Sequence, residues 1–244
     1  LDLHLRLAQL QHDHLSDVEA AEKHLREALI LDDRHRESYE DIERILVEQE
    51  RWFDLVELLE ARYSAFAMDS DAVGILHRMA RVQDQLLTDE ITATDTYVRI
   101  LSLAPDDGEA LSNLNRLYRS QERWDDLNQL LVGQLSFANP PEQVTLRLEL
   151  GELCASQLQT PMQAVDYARE IFELESDNHD AVVLLEGLVE NEVVRADVAA
   201  LLEPIYRKQA NIEGLLRTLL VAADAADEPT TKAAFLREVA EIQE

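Results

Sequence analysis

The chain has 244 residues, 22 basic against 50 acidic, for a formal net charge of -28, with 46% hydrophobic residues and only six glycines, six prolines and one cysteine. A field of that sign repels phosphate backbones and anionic lipid surfaces, which disfavours nucleic acid and membrane partners, while the apolar fraction is too high for a disordered polyanion. The single cysteine, Cys154, excludes an intrachain disulfide and argues against a thiolate metal site, and it reads as a small core residue.

Leu, Ala, Glu and Asp dominate and alternating β-branched runs are absent, so the spacing predicts a nearly all-helical chain. No apolar run approaches the roughly 18 to 20 residues of a membrane span, and a cytoplasmic location is expected. Lysine occurs only at Lys23, Lys208 and Lys232, the other basic residues being arginine, a bias that fits a GC-rich bacterial genome.

In chain order, Leu3, Leu5, Leu7, Ala8, Leu10 and Leu15 lie on a first helix ending near Ser16-Asp17. Ser16 or Asp17 caps a second helix carrying Ala20, Ala21, Leu25, Ala28 and Leu29, broken at Leu31-Asp32-Asp33. A third helix carries Tyr39, Ile42, Ile45 and Leu46, and a fourth follows Trp52.

The set then recurs at an offset of 72, most visibly as Glu48-Gln49-Glu50-Arg51-Trp52-Phe53-Asp54-Leu55 and Ser120-Gln121-Glu122-Arg123-Trp124-Asp125-Asp126-Leu127, which hold both tryptophans. A third copy follows at 71, preceded by a loop at Asn139-Pro140-Pro141-Glu142, with Thr160-Pro161 capping a helix. The period then slips to 88, which predicts an extra helix near Val194 to Leu202 that Pro204 kinks or ends. The expected organisation is a single array of four-helix units at about 1–69, 70–139 and 140–210, with a partial repeat at 211–244. Starting at Leu1 and stopping inside a repeat, it reads as an excerpt of a longer protein.

Half of each unit has the size of a tetratricopeptide repeat, and the packing residues agree. Leu111, Leu114 and Tyr118 fit that family's first helix, while Leu7-Ala8 with Ala21, Leu25 and Ala28 fits both helices. The chain therefore resembles a divergent tetratricopeptide-repeat array. It departs from the pattern with one extra residue in alternate turns, with Glu43 and Asn115 at the small position, and with Leu127 in place of alanine. The resemblance implies an all-α fold, an α-solenoid of about seven stacked antiparallel helix hairpins in a right-handed superhelix. Small residues at Ala8, Ala21, Ala80, Ala93, Gly151 and Ala164 then allow close helix approach, and Trp52 and Trp124 plug the spaces between hairpins.

Neither catalytic nor cofactor-binding motifs are present: there is no glycine-rich phosphate loop, nucleophile elbow or His-Glu-x-x-His. Five histidines fall early, at His4, His12, His14, His24 and His35, but the His12-Asp13-His14 spacing points side chains apart on a helix, so no metal site is expected. The acidic pairs Asp32-Asp33, Asp106-Asp107 and Asp125-Asp126 are read as helix-start caps. No enzymatic activity is expected.

In arrays of this family the first helix of each hairpin lines the concave groove. The position after the small residue reads Gln9, Arg44, Arg81, Arg116, Glu152 and Gly187, so three consecutive hairpins present arginine, with His77, Asp84, Ser112 and Arg119 nearby. These residues are expected to form a strip of net positive charge. Such a ladder resembles the way some family members clamp an acidic peptide tail; alternatively each arginine pairs with a carboxylate on a neighbouring helix and stiffens the stack. The expected function is a non-catalytic scaffold for a protein or peptide partner, one with an acidic segment being a candidate. A structural spacer, or a recruiting or regulatory domain of a larger protein, is the alternative.

Overall fold

The computed structural model describes residues 1–11 and 17–243, and the regular elements among them are helical. The expectations for His12, Asp13, His14, Leu15 and Ser16 lie outside the described residues. Fourteen α-helices among the described residues fall into two compact units, Leu1–Gln121 and Glu122–Glu244. The first holds α1 (Asp2–Leu10), α2 (Val18–Leu31), α3 (Arg36–Glu48), α4 (Trp52–Phe66), α5 (Ala72–Arg81), α6 (Glu90–Leu103) and α7 (Gly108–Ser120). The second holds α8 (Trp124–Leu135), α9 (Pro140–Ser156), α10 (Pro161–Leu174), α11 (His179–Leu188), α12 (Arg195–Gln209), α13 (Ile212–Ala225) and α14 (Pro229–Gln243). Within each unit every helix packs on the next, so the chain is an all-α helical solenoid built from helix hairpins.

Local chemistry marks the helix ends. Asp17, Asp89, Asp107, Asn178 and Asn211 each accept a backbone N–H from three residues on. At the other ends Glu50, Thr88, Glu122, Gln159 and Ala210 turn the chain with φ of 52 to 54°, without a glycine among them. The Gln-Glu-Arg-Trp repeat is one such hinge: Glu50 and Glu122 take the left-handed step, and the following arginine reaches the next helix. Arg51 Nε donates to Asp54 at 2.6 Å and Arg123 Nε to Asp126 at 2.7 Å. The tryptophans open α4 and α8 and are only half-buried, so they are less complete plugs than expected.

The core follows the small-residue positions. Ala8, Ala21, Ala80, Ala93 and Ala164 are buried, and a Cβ on Gly151 would meet Leu184 Cδ2 at 2.5 Å. Cys154 is fully buried, its thiol 3.6 Å from Gln163 Oε1 and pushed up in pKa by that burial.

Four local expectations are corrected. Asn139-Pro140-Pro141-Glu142 is a helix start rather than a loop, because Asn139 and Glu142 form a reciprocal capping box and both prolines fit the first turn, where no N–H is needed. Thr160 stands at the N-cap of α10, but its side chain makes no cap bond. Asp32 ends α2 instead of starting α3, accepting Arg34 N–H in a tight turn, and His35 caps α3 through its ring nitrogen. Pro204 does not end its helix: α12 begins at Arg195 and continues to Gln209, with Pro204 on the exposed side where the carbonyl it leaves unbonded faces water. The slipped period corresponds to two helices, α11 and α12, between α10 and α13, where the earlier copy has α7 alone between α6 and α8, and α12 packs extensively on α13.

Candidate functional site

The proposed groove positions lie in the first unit, on α3, α5 and α7 and on a π-turn at Val82–Leu86 that continues α5. The extra residue noted in alternate turns widens the helix here, and Leu87 N–H bonds to Val82 O, five residues back. Asp84 sits within the widened turn, and its largely buried carboxylate accepts Arg116 of α7. One turn earlier, Arg81 grips Glu109 of α7 with two parallel bonds, Nε at 2.7 Å and Nη2 at 2.6 Å. Arg81 in turn holds the Glu109 carboxyl below the usual glutamate range.

His77 extends this network. Its Nε2 lies 2.9 Å from Asp107 Oδ2 and its Nδ1 3.6 Å from Glu109 Oε1. Burial pushes the Asp107 carboxyl up, but the Ala110 N–H it caps and the His77 ring outweigh that, so it stays below its ordinary value. Arg119 bonds Asn115 on its own helix at 2.7 Å, and Ser112 is exposed on α7. Arg44 stands apart from these pairs: it reaches Asp41 on its own helix at 3.1 Å and lines a cavity of about 380 Å³ with Gln9, Ala8, Leu25 and His35.

The expected strip of positive charge is lined by carboxylates: Arg44, Arg81 and Arg116 stand beside Asp41, Glu109 and Asp84, which offset their charges, and His77 stands beside Asp107. The physical cause is the cap chemistry of α7: Asp107 caps the helix and Glu109 occupies its first turn, where acids are favoured by the helix dipole, and both face α5. Beneath the strip lies Tyr97, fully buried, its hydroxyl without a hydrogen-bond partner among the described residues. Burial first, and then the fields of Asp84 and Glu109, push its phenol up to about 12.

A second cluster escaped the sequence reading. Glu43 occupies the family's small position in α3, and it is held there by Arg62 of α4 at 3.2 Å and by Arg78 of α5. Arg62 is nearly buried, its side chain 6% exposed. Charge at a position where the family places a small residue was the available signal, but its partners come from two other helices.

Small residues buried at the helix crossings and left-handed turns at the repeat interval mark a chain built of successive helix hairpins. No protein-family model and no curated protein matches it. Among solved structures it is similar to a tetratricopeptide repeat protein from Parabacteroides merdae, with 15% identity over 98% of each chain and a TM-score of 0.37. It is also similar to the P58(IPK) TPR domain, with 14% identity over 99% of this chain and 65% of that one and a TM-score of 0.36. A human IFIT1 dimer with PPP-AAAA has 15% identity, with 93% and 54% covered and a TM-score of 0.43.

No described helix is long and apolar enough to cross a membrane.

Proposed function

We propose that the chain is a non-catalytic interaction scaffold whose first unit binds a peptide or protein partner along α3, α5 and α7. The observation that carries this reading is the state of Arg81 and Arg116. Both are paired with carboxylates, yet their side chains are 51% and 49% exposed. The Arg81–Glu109 pair is exposed and contributes only about 0–1 kcal/mol, so a partner carboxylate can exchange into it at little cost, whereas Arg116 keeps the largely buried Asp84 carboxylate and offers a partner the remaining N–H groups of its half-exposed side chain. The partner that fits is one carrying alternating charges or an acidic segment, since it must meet Arg44, Arg81 and Arg116 alongside Asp41, Asp84 and Glu109.

Affinity capture with wild-type bait and with an Arg44→Ala, Arg81→Ala, Arg116→Ala bait tests this. Partners lost from the triple variant, each then confirmed by titration as binding more than about tenfold more weakly, support the groove. The same partners in the same amounts from both baits would sink it.

A second reading has its own support: Arg81–Glu109 and Arg116–Asp84 each join neighbouring elements, as pairs that only stiffen the stack would. Under that reading the triple variant loses thermal stability without losing a partner.

A further inference from the structure

The pairing of α1 with α2 brings His4 against His24 and Glu27, residues that their sequence spacing keeps apart. His24 and Glu27 are three residues apart on one face of α2, and His4 meets them from α1. The two Nδ1 atoms are 3.3 Å apart, and Glu27 Oε2 lies 2.8 Å from His4 Nδ1 and 3.3 Å from His24 Nδ1. The rings are tilted by 47° with centroids 5.5 Å apart, so they converge through their nitrogens without stacking.

Hydrogen bonding alone serves all three atoms only if both rings carry their proton on Nδ1 and share one carboxylate oxygen, which sets two N–H groups side by side with nitrogens 3.3 Å apart. Each Nδ1 bears either one proton or one lone pair. Only one proton can lie between the two rings, while the carboxylate oxygen faces both nitrogens. A cation at the centre meets all three lone pairs at once. The distances also fit a particular ion: a tetrahedral centre with ligands at about 2.0–2.1 Å has edges of about 3.3 Å. Two of the three edges already have that length, and the third needs to open by roughly half an ångström, within reach of a glutamate side chain.

We propose that His4, His24 and Glu27 form a divalent transition-metal site of the zinc type that pins α1 to α2. Two imidazoles and a carboxylate are a borderline donor set suited to zinc and nickel and ill suited to magnesium or calcium. The side chains are 28%, 22% and 36% exposed, so ions enter from solvent and a fourth position is open to water. The site acts as a clip between the short α1, in which Ala8 alone is buried, and α2, where the buried apolar residues are Ala21, Leu25 and Ala28.

Zinc titration into chelator-stripped full chain, followed by calorimetry and thermal denaturation, tests the proposal. One equivalent of zinc is expected to bind and raise the melting temperature. His4→Ala, His24→Ala and Glu27→Gln should each weaken binding more than about tenfold, and His179→Ala, at an exposed histidine of α11, should leave it unchanged. Far-UV circular dichroism shows whether each variant is folded. Cobalt in the unmutated chain gives a readout free of that concern, because a tetrahedral nitrogen and oxygen site produces intense visible bands and an octahedral aquo ion does not. Absence of saturable zinc uptake overturns the proposal. So does uptake that persists in the His4→Ala, His24→Ala double variant, or that disappears only in His12→Ala, His14→Ala.

Discussion

Arg81 and Glu109 form a two-point contact, with both guanidinium nitrogens within 2.7 Å of the carboxylate oxygens, and this contact ties α5 to the first turn of α7. The glutamate is held below its ordinary value of 4.5, first by the hydrogen bonds from Arg81. A depressed carboxylate contributes stability above its unfolded value and loses it as pH falls through the lower folded value. Wild type is therefore expected to exceed Glu109→Gln by less than about 1 kcal/mol at neutral pH, given the exposure of the pair. That difference should shrink to nothing as pH drops below 4.5 and through the lower folded value. Urea midpoints measured from pH 7 to 3 check it, and a gap that widens in acid would contradict the assignment.

Arg62 is a different case because it is nearly buried, with its Nη1 3.2 Å from Glu43. Arg62→Ala leaves a largely buried glutamate with Arg78 to hold it. A loss of roughly 2–3 kcal/mol is expected, less than for an isolated buried pair. Arg62→Leu combined with Glu43→Leu should cost less than the two single changes summed. Additive losses in denaturant unfolding would show that the pair is not coupled.

The turn before α13 places Ala210 at φ 53° with its N–H directed to Arg207 O. An alanine methyl in that conformation costs about 1–2 kcal/mol, partly offset by the flexibility a glycine adds to the unfolded chain. Ala210→Gly is expected to raise stability by about 0.5–1 kcal/mol. Ala226→Gly, at a φ of -76° that any residue adopts, should give no gain. Equal thermal shifts for the two variants would place Ala210 outside the left-handed region.

Tyr97 keeps its proton at all ordinary pH values, and its buried hydroxyl has no hydrogen-bond partner among the described residues. Removing that oxygen in Tyr97→Phe is expected to leave stability unchanged or to raise it by up to about 1 kcal/mol. A loss greater than about 1 kcal/mol in chemical denaturation would mean that the hydroxyl makes a bond that matters.

The period, the helices and the small positions were legible in the residues themselves, because each is a short-range property; among the caps Asp17 and Asp107 were, whereas Asn139 and His35 were not, and Asp125 and Asp126 lie inside the first turn of α8. An aspartate before an amphipathic run caps it, and an alanine or glycine recurring at one place marks a crossing, whatever the neighbours are. The arginine positions were legible in the same way, and Arg44, Arg81 and Arg116 do recur on successive first helices. Their charge environment was not. Glu109 comes 28 residues after Arg81 and Asp84 32 before Arg116, so whether they cancel the ladder depended on how α5 and α7 pack. The same holds for Glu43 with Arg62 and Arg78, and for His4 with His24 and Glu27. The sequence by itself determined a helical repeat array and where its hinges fall, since repetition and local turn chemistry act over a few residues. Only the tertiary structure decided which charges meet, because a side chain's partner across a helix crossing is set by packing.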